Sequence, residues 1–264
     1  MKITVFTGNQ ERHNSLIDKL SGICDSLYAV QECRTVFPGE SPNYMYYSDV
    51  MKEYFRHVIE AEKHFFGDIK FLPSNVYQLP VENGDLSKLN LSILEPALNS
   101  DVYVVMGASY IRGPLMDFLA TKSTLNIHMG VSPYFRGSAT NFWAAFDGHP
   151  EMIGATIHYL DKGLDTGNVL YHALPKPEYE DTFMVGMHAV KAAEESLVAR
   201  ISDGSIFKMK EAKQDRSQQI RYSKRSDFTD EVARKYMETL MAPKDVEARL
   251  RNRQLDMFIN PLVI

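Results

Sequence analysis

Apolar residues along this 264-residue chain recur in two alternating rhythms, one with the two-residue period of a strand and one with the three-to-four-residue period of a helix. Residues 2–8 and 26–33 are strand-like, and between them residues 12–20 place Leu16, Ile17 and Leu20 at helical spacing. Over residues 48–66, Met51, Tyr54, Phe55, Val58, Ala61 and Phe65 recur at steps of three and four, which predicts a long amphipathic helix. Pro73, Pro80 and Gly84 punctuate residues 71–89, read as a loop with short elements; residues 91–98 are read as helical. The run DVYVVMGA over 101–108 is apolar after its first residue, as in a strand covered on both faces of a parallel sheet. A helix near 114–120, a short strand at 124–129, a helix at 140–146, strands at 153–160 and 168–172, and a strong helix at 181–200 follow. This βα succession predicts an α/β fold over residues 1–204, a Rossmann-like, mostly parallel sheet with helices on both faces.

After Gly204 the character changes. Lys208, Lys210, Lys213, Arg216, Arg221, Lys224 and Arg225 form a basic segment, and two short helices are expected at 229–238 and 243–251, so residues 205–264 read as a small C-terminal extension. Two readings stand for its cations: a solvated surface, or contacts to phosphates of an acceptor or to a partner subunit.

Composition narrows the class. With 44% hydrophobic and 24% charged residues the chain can bury one substantial core. No apolar run is long enough to cross a bilayer, and the start MKITVFTGNQ reads as a core strand instead of a signal peptide, so no membrane partner and a cytoplasmic location are expected. Cys24 and Cys33 make no CxxC or zinc pattern and read as buried thiols, and no metal is expected. His57, His64 and His188 fall in helical patterns and His158 and His172 on strands, where ordinary surface or satisfied core roles are expected.

The chemistry concentrates in LNIHMGVSPYFRGSATNFWAAF, starting at Leu125, and GATIHYLDKGLDTG, ending at Gly167. Strand alternation puts Asn126 and His128 on one face, about 6 to 7 Å apart, at the carboxyl end of a strand where open α/β sheets bind ligands. The turn Gly163-x-Asp165-x-Gly167 supplies a carboxylate from a separate segment. An amide, an imidazole and an acid with no nucleophile suit direct acyl transfer to an amine. The amide and ring N–H stabilise charge on the carbonyl oxygen, while the acid orients the imidazole and helps remove the amine's proton.

The Asn126-x-His128 pair, the SPYFRG loop at 132–137 and GLDTG at 163–167 together resemble the folate-dependent formyltransferases, the group of glycinamide ribonucleotide, methionyl-tRNA and nucleotide-sugar N-formyltransferases. The resemblance implies Asn126, His128 and Asp165 as catalytic residues and N10-formyltetrahydrofolate as formyl donor. It also implies a pterin pocket walled by Gly107, Ser109, Tyr110 and Ile111 on one side and by Asp161, Lys162 and Gly163 on the other. Too few residues follow Gly204 for the added barrel domain of the methionyl-tRNA branch, and a net charge of −5 argues against a nucleic-acid partner. The stretch Thr7-Gly8-Asn9-Gln10-Glu11-Arg12-His13 lacks the glycine- and serine-rich phosphate loop of the purine branch. What remains is a nucleotide-linked amino sugar of polysaccharide biosynthesis. For it, Arg12, His13, Tyr134, Arg136 and Gly137 are candidate contacts, the alternatives being exposed first-turn residues at Arg12 and His13 and core packing around the loop for Phe135 and Trp143. A homodimer is the default expectation. Rival classes are a non-catalytic nucleotide-binding module and a metal-dependent hydrolase, the latter needing more ligands than this spacing offers.

Overall fold

The computed structural model describes residues 1–35, 39–41, 43–68 and 70–264. The chain begins with β1 (Lys2–Gly8), α1 (Glu11–Ser21) and β2 (Ser26–Cys33), then α2 (Asp49–Phe66), β3 (Val76–Glu82), β4 (Val102–Met106), α3 (Gly113–Ala120) and β5 (Leu125–His128). After these come β6 (Phe135–Gly137), α4 (Thr140–Phe146), β7 (Ala155–Tyr159), β8 (Val169–Leu174), α5 (Thr182–Ser202), β9 (Arg221–Ser223), α6 (Asp230–Glu238), α7 (Pro243–Arg251) and β10 (Leu262–Val263). Eight strands form one sheet in the order β3-β2-β1-β4-β5-β7-β8-β10. All neighbours are parallel except β5–β7 and β7–β8. Strand order reverses between β1 and β4, and the crevice that such a reversal opens at the carboxyl ends of strands is where α/β sheets receive ligands.

Both sheet faces are covered. On one, Ile3 and Val5 of β1 pack with Leu16, Ile17 and Leu20 of α1 and with Ala193, Leu197 and Ile201 of α5. On the other, Phe6 and Val105 meet Leu115, Met116 and Leu119 of α3. Full burial of each such side chain contributes about 1.5 to 3 kcal/mol. The buried hydroxyls of β1 are satisfied: Thr4 donates to the Ala97 carbonyl at 2.5 Å and Thr7 to that of Met106 at 2.7 Å. No described helix is long and apolar enough to cross a membrane.

Three expectations need correction. Residues 71–89 contain a full strand, β3, because Pro80 sits on the sheet edge, where the N–H it lacks is not needed. Residues 91–98 form two 3-10 turns, Leu91–Leu94 and Ala97–Asn99, with Pro96 between them in place of one helix. Cys33 is exposed and Cys24 half-buried, so neither is a fully buried thiol.

The residues after Gly204 pack on the chain's own core. β9 adds in parallel to β6, pairing Arg221 with Phe135 and Ser223 with Gly137, and β10 extends the main sheet beyond β8. Val246 and Leu250 of α7 and Phe258 join Trp143, Val185 and Ala189 in one apolar cluster, while Ala233 and Tyr236 of α6 pack with Tyr54 and Phe183 in another. His172 of β8 is fully buried between tail and loop: its Nδ1 accepts from the Ile259 N–H at 3.0 Å, leaving Nε2–H to donate to the Ser132 carbonyl at 2.9 Å. Burial pushes its pKa down to about 4, which keeps the ring neutral in this arrangement.

Candidate active site

Alternation along β5 sends Leu125 and Ile127 into the main core and carries Asn126 and His128 into a cleft of about 410 Å³ at the strand's carboxyl end. The loop 107–111 after β4 forms one wall and the turn 161–165 after β7 the other, with Ile111, Met116 and Leu160 supplying apolar surface. The two walls are tied together, because the Tyr110 hydroxyl donates to the Lys162 carbonyl at 2.8 Å.

His128, Asp165 and Asn126 converge. His128 Nδ1 lies 3.3 Å from Asp165 Oδ2, and both side chains are largely buried. His128 Nε2 is buried without a protein partner among the described residues, and the ring lines the cleft, so this nitrogen is free for a bound group. Asp165 holds a left-handed backbone, φ 49°, in its tight turn. The turn is closed internally by Asp161, which accepts from Thr166 Oγ1 at 2.7 Å and from the Gly163 N–H at 3.1 Å. Gln214, from beyond Gly204, clamps it from outside by donating to the carbonyls of Asp165 and Gly167 at 2.8 and 2.9 Å.

The sequence reading missed His158. Its Nδ1 is 2.8 Å from its neighbour's carbonyl, Tyr159 O, and its Nε2 is 2.8 Å from Asn126 Nδ2. Burial, opposed in part by that carbonyl, pushes the His158 pKa down. A neutral ring that donates from Nδ1 must accept at Nε2, so Asn126 is held amide-nitrogen inward with its second N–H left over. Only the position of His158 opposite Asn126 in the β5–β7 register reveals this, and that register is not written in either segment alone. Glu32, at the end of β2, was missed too. Fully buried, it accepts from Ser109 N–H at 2.5 Å, from Ser109 Oγ at 2.7 Å and from the Gly84 N–H at 2.7 Å, fixing the 107–111 wall.

The remaining expected residues divide. Gly107, Ser109, Tyr110, Ile111, Asp161, Gly163 and Gly137 line the cleft; Lys162 points its amine at Asp117, 2.6 Å away, and contributes its carbonyl. His13 is buried at the β1–β4 reversal, its ring packed so tightly against Gly107 that a Cβ there would collide with it; Gly107 also has φ 64°. Desolvation pushes the His13 pKa well down, so the ring is a neutral wedge. Arg12 is already spoken for: Nη1 pairs with buried Glu62 at 2.9 Å and Nη2 with Gln10. Tyr134 is buried in the tail-side apolar cluster, its hydroxyl donating to the Met257 carbonyl at 2.7 Å, and Arg136 bonds Gln219 at 3.2 Å. Neither faces the cleft, because the β6–β9 pairing turns this loop toward the tail. Phe135 and Trp143 are core residues.

Residues 82–201 match the family model described as formyl transferase. Methionyl-tRNA formyltransferases of Desulforamulus reducens and a Synechococcus strain are 31% and 35% identical over 37% and 39% of this chain, covering 31% and 32% of their own lengths. The chain thus spans about a third of the curated relatives it matches. A 4-N formyltransferase structure from Francisella tularensis has a TM-score of 0.53 at 19% identity, over 86% of this chain and 77% of that one. A formyltransferase from Anoxybacillus kamchatkensis, solved with UDP-4,6-dideoxy-4-formamido-L-AltNAc and tetrahydrofolate, has a TM-score of 0.51 at 17% identity, over 95% of this chain and 97% of that one. At these identities the two structures establish a shared fold.

Proposed function

We propose that the protein, whose residues 82–201 match the family model described as formyl transferase, moves a formyl group from N10-formyltetrahydrofolate to the amino group of a nucleotide-linked amino sugar. The observation that carries the reading is the convergence of Asn126, His128 and Asp165 from two segments at one cleft, with one ring nitrogen of His128 unpartnered among the described residues. The cleft suits the donor: two backbone-rich walls and an apolar floor match a flat, amide-bearing ring. The donor, when bound, would supply the formyl carbon: the amine bonds to it, its bond to N10 breaks, and the proton that the amine gives up ends on N10, so tetrahydrofolate leaves.

The residues do the rest. The free N–H of Asn126 and a proton on His128 Nε2 stabilise negative charge on the formyl oxygen as it develops. Asp165 holds His128 through Nδ1 and serves as the base for the attacking amine's proton. Glu32 and Gln214 keep the two walls in place, so the reacting groups do not have to be ordered at the moment of reaction.

The choice of acceptor is supported by the net charge of −5 and by a fold likeness that runs the length of both chains to an enzyme solved with a UDP-linked formamido sugar. Purified protein, formyl donor and a panel of nucleotide-linked amino sugars test it by tetrahydrofolate release, with glycinamide ribonucleotide and charged initiator tRNA as controls. Turnover with a nucleotide-linked amino sugar at least tenfold above both controls is expected. Turnover with tRNA or glycinamide ribonucleotide alone overturns the acceptor and keeps formyl transfer; no turnover with any amine overturns both.

A further inference from the structure

Beside the catalytic cleft lies a larger cavity of about 790 Å³, which shares Ser138 and Ala139 with it. It also shares Arg34, Tyr47, Phe55 and Arg225 with the crevice at the β1–β4 reversal, so the three hollows adjoin one another. Its walls come from chain segments far apart: Arg34 just after β2, the aromatic stretch before α2, and Lys224, Arg225 and Phe228 between β9 and α6.

The charges here differ from those elsewhere on this face. Arg12 is paired with Glu62, and Arg221 is fixed on Asp147 through a two-pronged contact at 2.6 and 2.7 Å while stacking over Trp143. Arg34, Lys224 and Arg225 form no ion pair among the described residues, and one lining carboxylate, Asp230, faces three cations. Partial desolvation, followed by the nearby Arg225 guanidinium, pushes the Arg34 pKa down. Two guanidiniums in each other's field, neither in an ion pair among the described residues, form an arrangement that a bound anion relieves. The aromatic side is equally unfinished. Phe228 packs on Tyr54 at 4.9 Å between ring centres and Tyr47 on Phe55 at 5.5 Å, whereas Tyr46 presents a ring that is 81% exposed. An anion and a planar ring side by side describe one class of ligand.

We propose that Arg34, Lys224 and Arg225 bind the diphosphate, and Tyr46, Tyr47 and Phe228 the base, of a nucleoside diphosphate whose sugar reaches past Ser138 and Ala139 to the catalytic cleft. This deepens the amino-sugar reading above and rests on it. It also assigns a task to the basic tail segment, of which Arg221 is structural and Lys224 and Arg225 are ligand-facing.

Calorimetric titration with UDP, dTDP, uridine and inorganic pyrophosphate tests the assignment on the parent, Arg225→Gln, Lys224→Gln and Tyr46→Ala. These three side chains are exposed, and parental melting of each variant checks the fold. The parent should bind at least one nucleoside diphosphate more tightly than uridine or pyrophosphate. Arg225→Gln and Lys224→Gln should each weaken it about tenfold or more, with tetrahydrofolate binding unchanged. A parent that binds a nucleoside diphosphate while all three variants bind it equally well overturns this site and leaves the acceptor class standing. A parent that binds folate but neither nucleoside diphosphate overturns the acceptor reading and the site together.

Discussion

On the β4–β5 side of the molecule, Asn126 and His128 leave alternate positions of one strand and reach the cleft together. On the β1–α1 side, Arg12 and His13 leave the first turn of a helix and end up fixed to the protein itself. Residue type was informative in both places, but only the first kept its expected orientation. Strand alternation is a local rule with one outcome, whereas a cation in a folded chain goes to whichever carboxylate the tertiary structure brings near. Glu62 of α2, fifty positions along, claimed Arg12. The unclaimed cations lie in segments that only the fold brings together.

The sharpest test of this contrast is His128→Asn. Turnover measured by tetrahydrofolate release should fall about 10²- to 10³-fold, with melting temperature and folate binding near parental values. Turnover near that of the parent would mean that the β5 pair is packing and the contrast is false.

The α1 side should instead respond in stability. Glu194 of α5 is buried against Ser15 and Lys19 of α1, at 2.8 and 2.6 Å, and burial pushes its pKa up to about 7 against the pull of Lys19. Because the folded value lies above the unfolded one, this group's contribution is fully present below about pH 4.5 and is lost as pH rises through about 7. Glu194→Gln should therefore gain on its parent between pH 5 and pH 8, by roughly 3 kcal/mol at most, in urea melts across that range. His172, with a pKa pushed down to about 4, works in the opposite direction, its contribution present above about pH 6.5 and lost toward pH 4. The variant-minus-parent difference cancels that term. A difference independent of pH would show that Glu194 is ionised throughout.

Arg12→Gln comes next. With Glu62 left buried and short of a partner, stability should drop by about 2 kcal/mol while KM for the acceptor changes less than about threefold. A large rise in KM at parental stability would return Arg12 to the ligand and erase the distinction between the two sides. The smallest expected effect is His158→Phe, which frees the Asn126 amide to rotate. A loss of about tenfold in kcat with KM for the donor little changed fits a positioning role, and equal losses in donor binding would make the ring part of the pocket instead.

Much of the scaffold could be read from periodicity: α2 and α5 begin within two residues of expectation, and β2 coincides with the stretch 26–33. The three converging groups were legible because two share a strand and the third sits in a turn whose glycines mark it. What stayed hidden depends on distant partners. β3 was obscured by Pro80, which is tolerable only on an edge, and edges are defined by neighbours. Tyr134 and Arg136 were misjudged because β6 is a strand only through β9, which lies over eighty residues later. His158, Glu32 and Gln214 each serve the cleft through hydrogen bonds to another segment.

Gln214 carries a consequence for how such a protein can change. The stretch of tail that leads toward Lys224 and Arg225 also grips the backbone oxygens of the turn bearing Asp165, and Val169 and Ala212 exchange two 2.8 Å hydrogen bonds just beside it. A graft of another tail, made to recognise a different partner molecule, would therefore loosen the acid at the same stroke. New selectivity is expected to arise by single replacements around Arg225, with residues 212–214 left untouched.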